Sequence, residues 1–231
     1  MLRVEKLNQY YGESHTLWDV DLDVPGGRCT CLMGRNGVGK TTLLGCVMGL
    51  LPVHSGRILL GEDDITRVAA ERRAQLGVGY VPQGRQIFPL LSVEENLCIG
   101  LSTGRRKLKK IPDLIFDLFP VLSEMRGRLG GDLSGGQQQQ LAIGRALVLQ
   151  PSLLILDEPT EGIQPNIVQE IGAIIHRLCE EMDMTVLLVE QKLHFTRAVA
   201  DRFAIIDRGR VMASEPIDRL DEQMVQQYLT V

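Results

Sequence analysis

The chain has 231 residues, 44% of them hydrophobic and 23% charged, with a formal net charge of -4 at pH 7. These values fit one large globular domain or two closely packed subdomains, with ample length for a substantial core. The acidic balance argues against a dedicated nucleic-acid binder, and no apolar run approaches the roughly 18 residues that cross a bilayer. Residues 1–25 carry no signal-peptide pattern, so a membrane role has to work through a partner. Five cysteines (Cys29, Cys31, Cys46, Cys98, Cys179) are odd in number and form no CxxC pair. They read as reduced, buried thiols of a cytosolic protein, not as a disulfide framework or a metal site.

In "LWDVDLDVPGGRCTCLM" (17–33), Val20, Leu22 and Val24 alternate with Asp19, Asp21 and Asp23, the period of a half-buried strand. Pro25-Gly26-Gly27 makes a turn and 28–33 a second strand. A helix is expected from about Lys40 to Leu51, ended by Pro52, then strands near 57–60 and 76–82. Ser92 and Glu95 have capping-box spacing, which starts a helix at Val93. The basic run "RRKLKK" (105–110) reads as a solvated linker or as a contact with a partner or lipid headgroups, and a second helix follows around Asp113–Phe119. After Pro151, "LLIL" (153–156) reads as a strand. Pro165 opens a helix with Ile167, Ile171, Ile174, Ile175 and Leu178 on one face. "TVLLV" (185–189) is a buried strand, and "AIIDRGRVMA" (204–213) reads as a hairpin. Strands alternating with helices imply an α/β fold with a mainly parallel sheet covered on both faces.

"GRNGVGKTT" (34–42) lies between a strand and a helix and fits G-x-x-x-x-G-K-[ST] through Gly34, Gly39, Lys40 and Thr41. Its glycines, with Gly37, let the backbone N–H groups of a cradle that also holds Arg35, Asn36, Val38 and Thr42 face phosphate oxygens. The helix N-terminus adds its positive dipole end. Lys40 can reach the β- and γ-phosphates, and the Thr41 hydroxyl can hold Mg²⁺. In "LLILDEP" Asp157 follows a strand as a metal-holding acid, and Glu158 beside it can polarise an attacking water as a general base.

"LSGGQQQQ" (133–140) has Ser134 and Gln137 at capping-box spacing. Leu141, Ile143, Ala146, Leu147 and Leu149 supply the apolar side of the helix that follows, which Pro151 ends. Gly135 and Gly136 then lie in a first turn stripped of side chains, a second anion cradle at a helix N-terminus. The glutamines after Gln137 are expected on the polar side of this helix. One ATP does not need two phosphate cradles from one chain, so the second is expected to serve an ATP held by another molecule.

"GRNGVGKT", "VPQ", "LSGGQ" and "LLILDEPT", in this order and spread over essentially the whole chain, resemble the ATP-binding subunits of ABC transporters. The resemblance implies a P-loop NTPase fold: a RecA-like core with an N-terminal antiparallel β subdomain (about 1–83 and 151–231) and an inserted α-helical subdomain (about 84–150). It implies ATP and Mg²⁺ as ligands and head-to-tail pairing with a second ATPase subunit around two ATPs. Ser134 and Gly136 would then meet the γ-phosphate on the partner. Gln83 would touch Mg²⁺ and the attacking water and sense the membrane subunit, along a groove at 83–100. Tyr11 would stack on adenine, although from the residues alone it could equally be core. Transmembrane permease subunits, and indirectly a substrate-binding protein, complete the implied assembly at the cytoplasmic face of the plasma membrane. "PQGRQIFPLLSVEENL" and "DEPTEGIQP" are similar to the branched-chain amino acid and urea uptake family, and "QGR" before "IFP", "LSGGQQQQLAIGRAL" and "TEGIQP" to its urea branch. The resemblance thus implies an ATP-hydrolysing subunit for urea uptake, with branched-chain amino acid uptake as the alternative.

Two positions depart from the general pattern of that family. Gln191 in "LLVEQK" stands where most members carry a histidine; an amide donates a hydrogen bond to a γ-phosphate but cannot titrate. Gln164 replaces an aspartate after "DEPT". Both are compatible with the branched-chain and urea group and leave open how fast the chain's own ATP site turns over. The resemblance implies a heterodimer with two unequal ATP sites, a homodimer being possible in isolation. Gln191 favours, and Glu158 disfavours, a regulatory module that binds ATP with little hydrolysis. His194 is expected on a helix surface, outside the site. An ABC ATPase acting on nucleic acid is disfavoured by the acidic charge and by the lack of a coiled-coil insertion or a second cassette.

Overall fold

The computed structural model describes residues 1–105 and 107–230; Arg106, within the basic run, lies outside them. The chain opens with a hairpin of β1 (Leu2–Tyr11) and β2 (Ser14–Val24), joined at Gly12 with φ 59°. The alternation in β2 is as the sequence predicts: Val20, Leu22 and Val24 are buried and the three aspartates exposed. Next come β3 (Cys29–Met33) and α1 (Lys40–Met48), then β4 (Ser55–Leu60) and the short β5 (Asp63–Asp64). These β elements, β3 excepted, form a sheet of order β2-β1-β4-β5 in which all neighbours are antiparallel.

A short helix, α2 (Ala70–Gln75), leads into β6 (Val78–Val81). The middle of the chain is helical: α3 (Val93–Cys98), α4 (Asp113–Leu118), α5 (Pro120–Glu124) and α6 (Gly135–Val148). The last third alternates again through β7 (Leu153–Asp157), α7 (Pro165–Glu180), β8 (Thr185–Val189) and α8 (Leu193–Val199). It closes with the hairpin of β9 (Arg202–Asp207) and β10 (Arg210–Pro216), then α9 (Glu222–Tyr228). The second sheet has the order β10-β9-β3-β8-β7-β6, parallel from β9 to β6, with β10 antiparallel at its edge.

Strands β3, β7 and β8 are buried on both faces, as parallel strands covered by other layers must be. Their alternate residues feed two cores. Leu154, Leu156, Val186 and Leu188 pack with α6 and α7, while Leu153, Ile155, Leu187 and Val189 pack with α1 and the antiparallel sheet. The carboxyl ends of β3, β6, β7 and β8 therefore open at one edge, where α/β sheets hold ligands.

Several boundaries differ from the sequence expectation. Helix α1 stops at Met48, before Leu51, because Gly49 takes φ 72° and donates back to the Cys46 carbonyl at 3.1 Å. The buried Arg73 guanidinium also binds the Cys46 and Val47 carbonyls, adding to the glycine cap, and Pro52 ends nothing. The run after Gln137 is not a polar face: Gln139 and Gln140 are only 4% and 5% exposed. Gln140 reaches across to α7, its Nε2 donating to Glu170 Oε2 at 2.8 Å. Cys98 is exposed, unlike the four other thiols, and all five are free. In the basic run Arg105, Lys107, Lys109 and Lys110 are exposed, with Lys110 paired to Asp113 at 3.2 Å.

Candidate nucleotide site

The loop from Gly34 to Gly39 turns the chain from β3 into α1. Gly34, Gly37 and Gly39 have φ of 154°, 78° and 113°. A Cβ on Gly34 would stand 2.4 Å from the Ile206 carbonyl, so the turn excludes larger residues there. Val38 and Arg35 are half-buried, while Asn36, Gly37 and Thr41 face outward and Thr42 is buried. Lys40 is 6% exposed and its Nζ folds onto the Gly34 and Arg35 carbonyls, both at 2.8 Å. Burial lowers the Lys40 pKa, while the negative charges of Glu158 and Asp157 act to raise it.

Asp157 ends β7 and is 4% exposed. Burial, then repulsion by Glu158, pushes its carboxyl up to about 6, against the opposing pull of Lys40 and the Tyr80 hydroxyl. A buried carboxylate in that condition fits a divalent cation, which returns the charge the site lacks. Thr41, Asp157 and Gln83 would hold Mg²⁺; one carboxylate with hydroxyl and amide oxygens is a donor set suited to an ion that keeps water and phosphate ligands.

Glu158 adopts φ 47°, a left-handed backbone that is costly for a non-glycine and characteristic of working sites. Its two carboxylate oxygens are both taken by amides. Gln191 Nε2 donates to Oε1 at 2.5 Å and Gln83 Nε2 to Oε2 at 3.2 Å. Gln191 Nε2 also donates to Asn36 Oδ1 at 2.8 Å, joining the phosphate loop to Glu158. Gln83 additionally reaches Glu161 Oε2 at 3.0 Å. Lys40, Thr41, Thr42, Gln83, Glu158 and Gln191 thus line one cleft of about 620 Å³. Tyr11 is 52% exposed, so it is not core; its hydroxyl lies 3.5 Å from Thr42 Oγ1 at the edge of the loop. His194 is exposed on α8, away from that lining.

The Ser134–Gln137 stretch forms the reciprocal box. Gln137 N–H donates to Ser134 Oγ at 3.3 Å, and Ser134 N–H donates to Gln137 Oε1 at 2.9 Å. Gly135 and Gly136 form the bare first turn of α6. A Cβ on Gly136 would come within 2.9 Å of Ile167 Cγ1. These residues do not join the phosphate loop. Together with Gln164 they line a second cleft of about 830 Å³, and the residue shared by the two linings, among the described residues, is Gly162. Sequence reasoning missed Glu161, Thr160 and Glu190 around the first cleft: an acid beside a strand end reads as a solvated edge, and only the fold shows what it touches.

A family model described as "ABC transporter" matches residues 17–161. The chain is 40% identical to the probable branched-chain amino acid transport ATP-binding protein LivF of Archaeoglobus fulgidus, covering 91% of this chain and 90% of that one. It is 39% identical to the high-affinity branched-chain amino acid transport ATP-binding protein BraG of Pseudomonas aeruginosa, covering 92% and 91%. Its fold matches the crystal structure of a nucleotide-free ATP-binding cassette from an ABC transporter with a TM-score of 0.86 at 27% identity, covering 99% and 94%. With a glycine-rich phosphate loop, adjacent acids after β7 and a second bare helix N-terminus already in place, the chain belongs to the ATP-binding cassettes of ABC transporters, P-loop ATPases coupled to transport.

Proposed function

We propose that this chain is the energy-coupling subunit of an uptake transporter for branched-chain amino acids. The observation that carries the mechanism is that the glycine-rich loop before α1 and the bare first turn of α6 line two separate clefts of one chain. Lys40 and the loop from Gly34 to Gly39, with Arg35, Asn36, Val38 and Thr42, hold the phosphates of the chain's own ATP. Thr41, Asp157 and Gln83 hold Mg²⁺, which when bound neutralises charge on the transferring phosphoryl group. Glu158 accepts the proton of the attacking water, Gln191 donates to the γ-phosphate in place of one of its two bonds to Asn36 and Glu158, and Tyr11 stacks on adenine. Ser134, Gly135, Gly136 and Gln137 meet the nucleotide of a second cassette, so that ATP closes the pair and hydrolysis reopens it.

Residues 84–150 form the helical insertion in this reading, with 1–83 and 151–231 as core and β subdomain. Exposed Phe88 and Leu90, 46% and 85% accessible, suit the 83–100 segment to a membrane permease subunit. Among the described residues no helix is long and apolar enough to cross a membrane; attachment in this reading is peripheral, at the cytoplasmic face, through that permease. A substrate-binding protein would act only through the permease, and Gln191 and Gln164 suit a heterodimer with unequal sites. The cargo assignment rests on the names of the two relatives; urea is the second reading, supported by "QGR" before "IFP" and "TEGIQP".

Uptake of labelled leucine and labelled urea in cells whose own copy carries Lys40→Ala tests the proposal. Loss of leucine uptake alone is the expected result. Loss of urea uptake alone would move the cargo to urea with the mechanism intact, and survival of both in cells that lack the chain altogether would overturn the transport reading.

A further inference from the structure

Glu190 follows β8 and is 3% exposed. Among the described residues it has no ion-pair partner, so hydrogen bonds alone must offset the cost of removing its carboxylate from water. Three donors do so. The backbone N–H groups of Gln191 and Lys192 donate to Oε1 at 2.8 and 3.1 Å. The hydroxyl of Thr160, a fully buried residue, donates to Oε2 at 2.6 Å. Lys192 Nζ closes the same junction from the other side, donating to the Thr160 carbonyl at 2.7 Å.

The two oxygens do different things. Oε1 stays within its own loop, a task a shorter acid could perform. Oε2 reaches 30 residues away in sequence to the loop after β7, which takes the extra methylene of glutamate. Thr160 stands two residues after Glu158, and Gln191 follows Glu190 directly. Each end of the Gln191–Glu158 contact is therefore anchored to the same carboxylate. A glutamine has three side-chain torsions to fix, so an amide that bridges Asn36 and Glu158 needs a backbone held in place.

We propose that Glu190, through Thr160, is a positioning residue for ATP hydrolysis: the clamp between the loops after β7 and β8 holds the Gln191 amide against Glu158 and the phosphate loop. The inference rests on the ATPase reading of this site: Glu190 lines the same cleft, but its two oxygens are taken by Thr160, Gln191 and Lys192, so it acts through them.

The test compares Glu190→Asp, Thr160→Val, Thr160→Ser and the double variant Glu190→Asp/Thr160→Val in the full chain. Steady-state ATP hydrolysis is measured together with hydrogen exchange of the nucleotide-free protein. Glu190→Asp and Thr160→Val are each expected to lower kcat ~10-fold or more, as a displacement of about 1 Å in a catalytic group does. KM for ATP should stay within ~3-fold, the mark of an interaction used in the transition state and not in binding. Thr160→Ser should restore kcat, and the double variant should fall no further than the worse single one, because both break one contact. Exchange should quicken in 158–164 and 190–193 in both single variants while β7 and β8 stay protected. Wild-type kcat in a folded Thr160→Val, or exchange quickened in one loop only, would overturn the clamp. So would a loss of kcat accompanied by lost ATP binding and exchange throughout the sheet, which would mark simple fold support. If the wild-type chain with its partners hydrolyses no ATP, the ATPase reading fails, and the exchange pattern alone still decides whether the clamp exists.

Discussion

Glu158→Gln should lower ATP hydrolysis by about 10²–10⁴-fold, the usual contribution of a positioned general base, and leave ATP binding intact. The substitution keeps the shape of the side chain and one acceptor oxygen, but an amide cannot take a proton from water. The Glu158 carboxylate is already aimed: its backbone sits at φ 47° and its two oxygens are held by Gln83 and Gln191. Little of the rate should therefore survive through a substitute base, and little binding should be lost. Phosphate release at saturating ATP, set beside the affinity for a fluorescent ATP analogue, separates the two effects. A rate near that of the wild type would remove Glu158 from the chemistry.

Asp157→Asn should make the nucleotide-free chain more stable at pH 8 while abolishing metal-dependent hydrolysis. Burial and Glu158 raise the Asp157 pKa to about 6, whereas an unfolded aspartate titrates near 3.9. The folded state thus binds the proton more tightly than the unfolded state, and the contribution of Asp157 to stability falls as pH rises from about 4 to about 6. Two units correspond to at most about 3 kcal/mol, so a gain of about 1–3 kcal/mol is expected above pH 6 when the charge is removed. An asparagine oxygen can still accept from Tyr80. The melting-temperature difference between variant and wild type should open between pH 4 and 6 and then level off. Mg²⁺ with ATP should reverse the order, because the wild type alone gains binding energy at the metal position. A variant less stable than the wild type at pH 8 without nucleotide would show that Asp157 is not a strained charge.

How much of this was legible in the sequence depended on how local the cause was. The Ser134–Gln137 box, the Ser92–Glu95 box, strand β8 and the turn at Gly34–Gly39 all follow from residues within a few positions of each other. Strand β1 gives no clear signal in the sequence, because its pairing with β2 shifts register between Val4 and Tyr10 and Lys6 takes φ 46°. Each irregularity breaks the period-2 alternation that signals a strand. The end of α1 at Gly49 is a local signal that the more distant Pro52 masks, whereas the carbonyls it leaves free are bound by Arg73 and the burial of Gln140 depends on Glu170; neither of these partners is near in sequence. The same distance hid Glu190. In "VEQK" it looks like a charged residue leaving a strand, and its meaning lies in Thr160. The candidate site was legible as two cradles and a pair of acids, while the hydrogen bonds that orient those acids were not.

A mixing experiment, under conditions where the wild-type chain hydrolyses ATP with no other subunit present, tests most directly whether the chain's two cradles serve two different nucleotides, each held between two chains. Lys40→Ala disables the phosphate loop. Gly136→Asp puts a carboxylate and a Cβ, 2.9 Å from Ile167, into the bare turn of α6, where an anion should bind. Each variant alone should be inactive. Mixed in equal amounts they should regain hydrolysis, because a mixed pair keeps one site built from an intact phosphate loop on one chain and an intact α6 turn on the other. A mixture as inactive as its components would contradict the shared site.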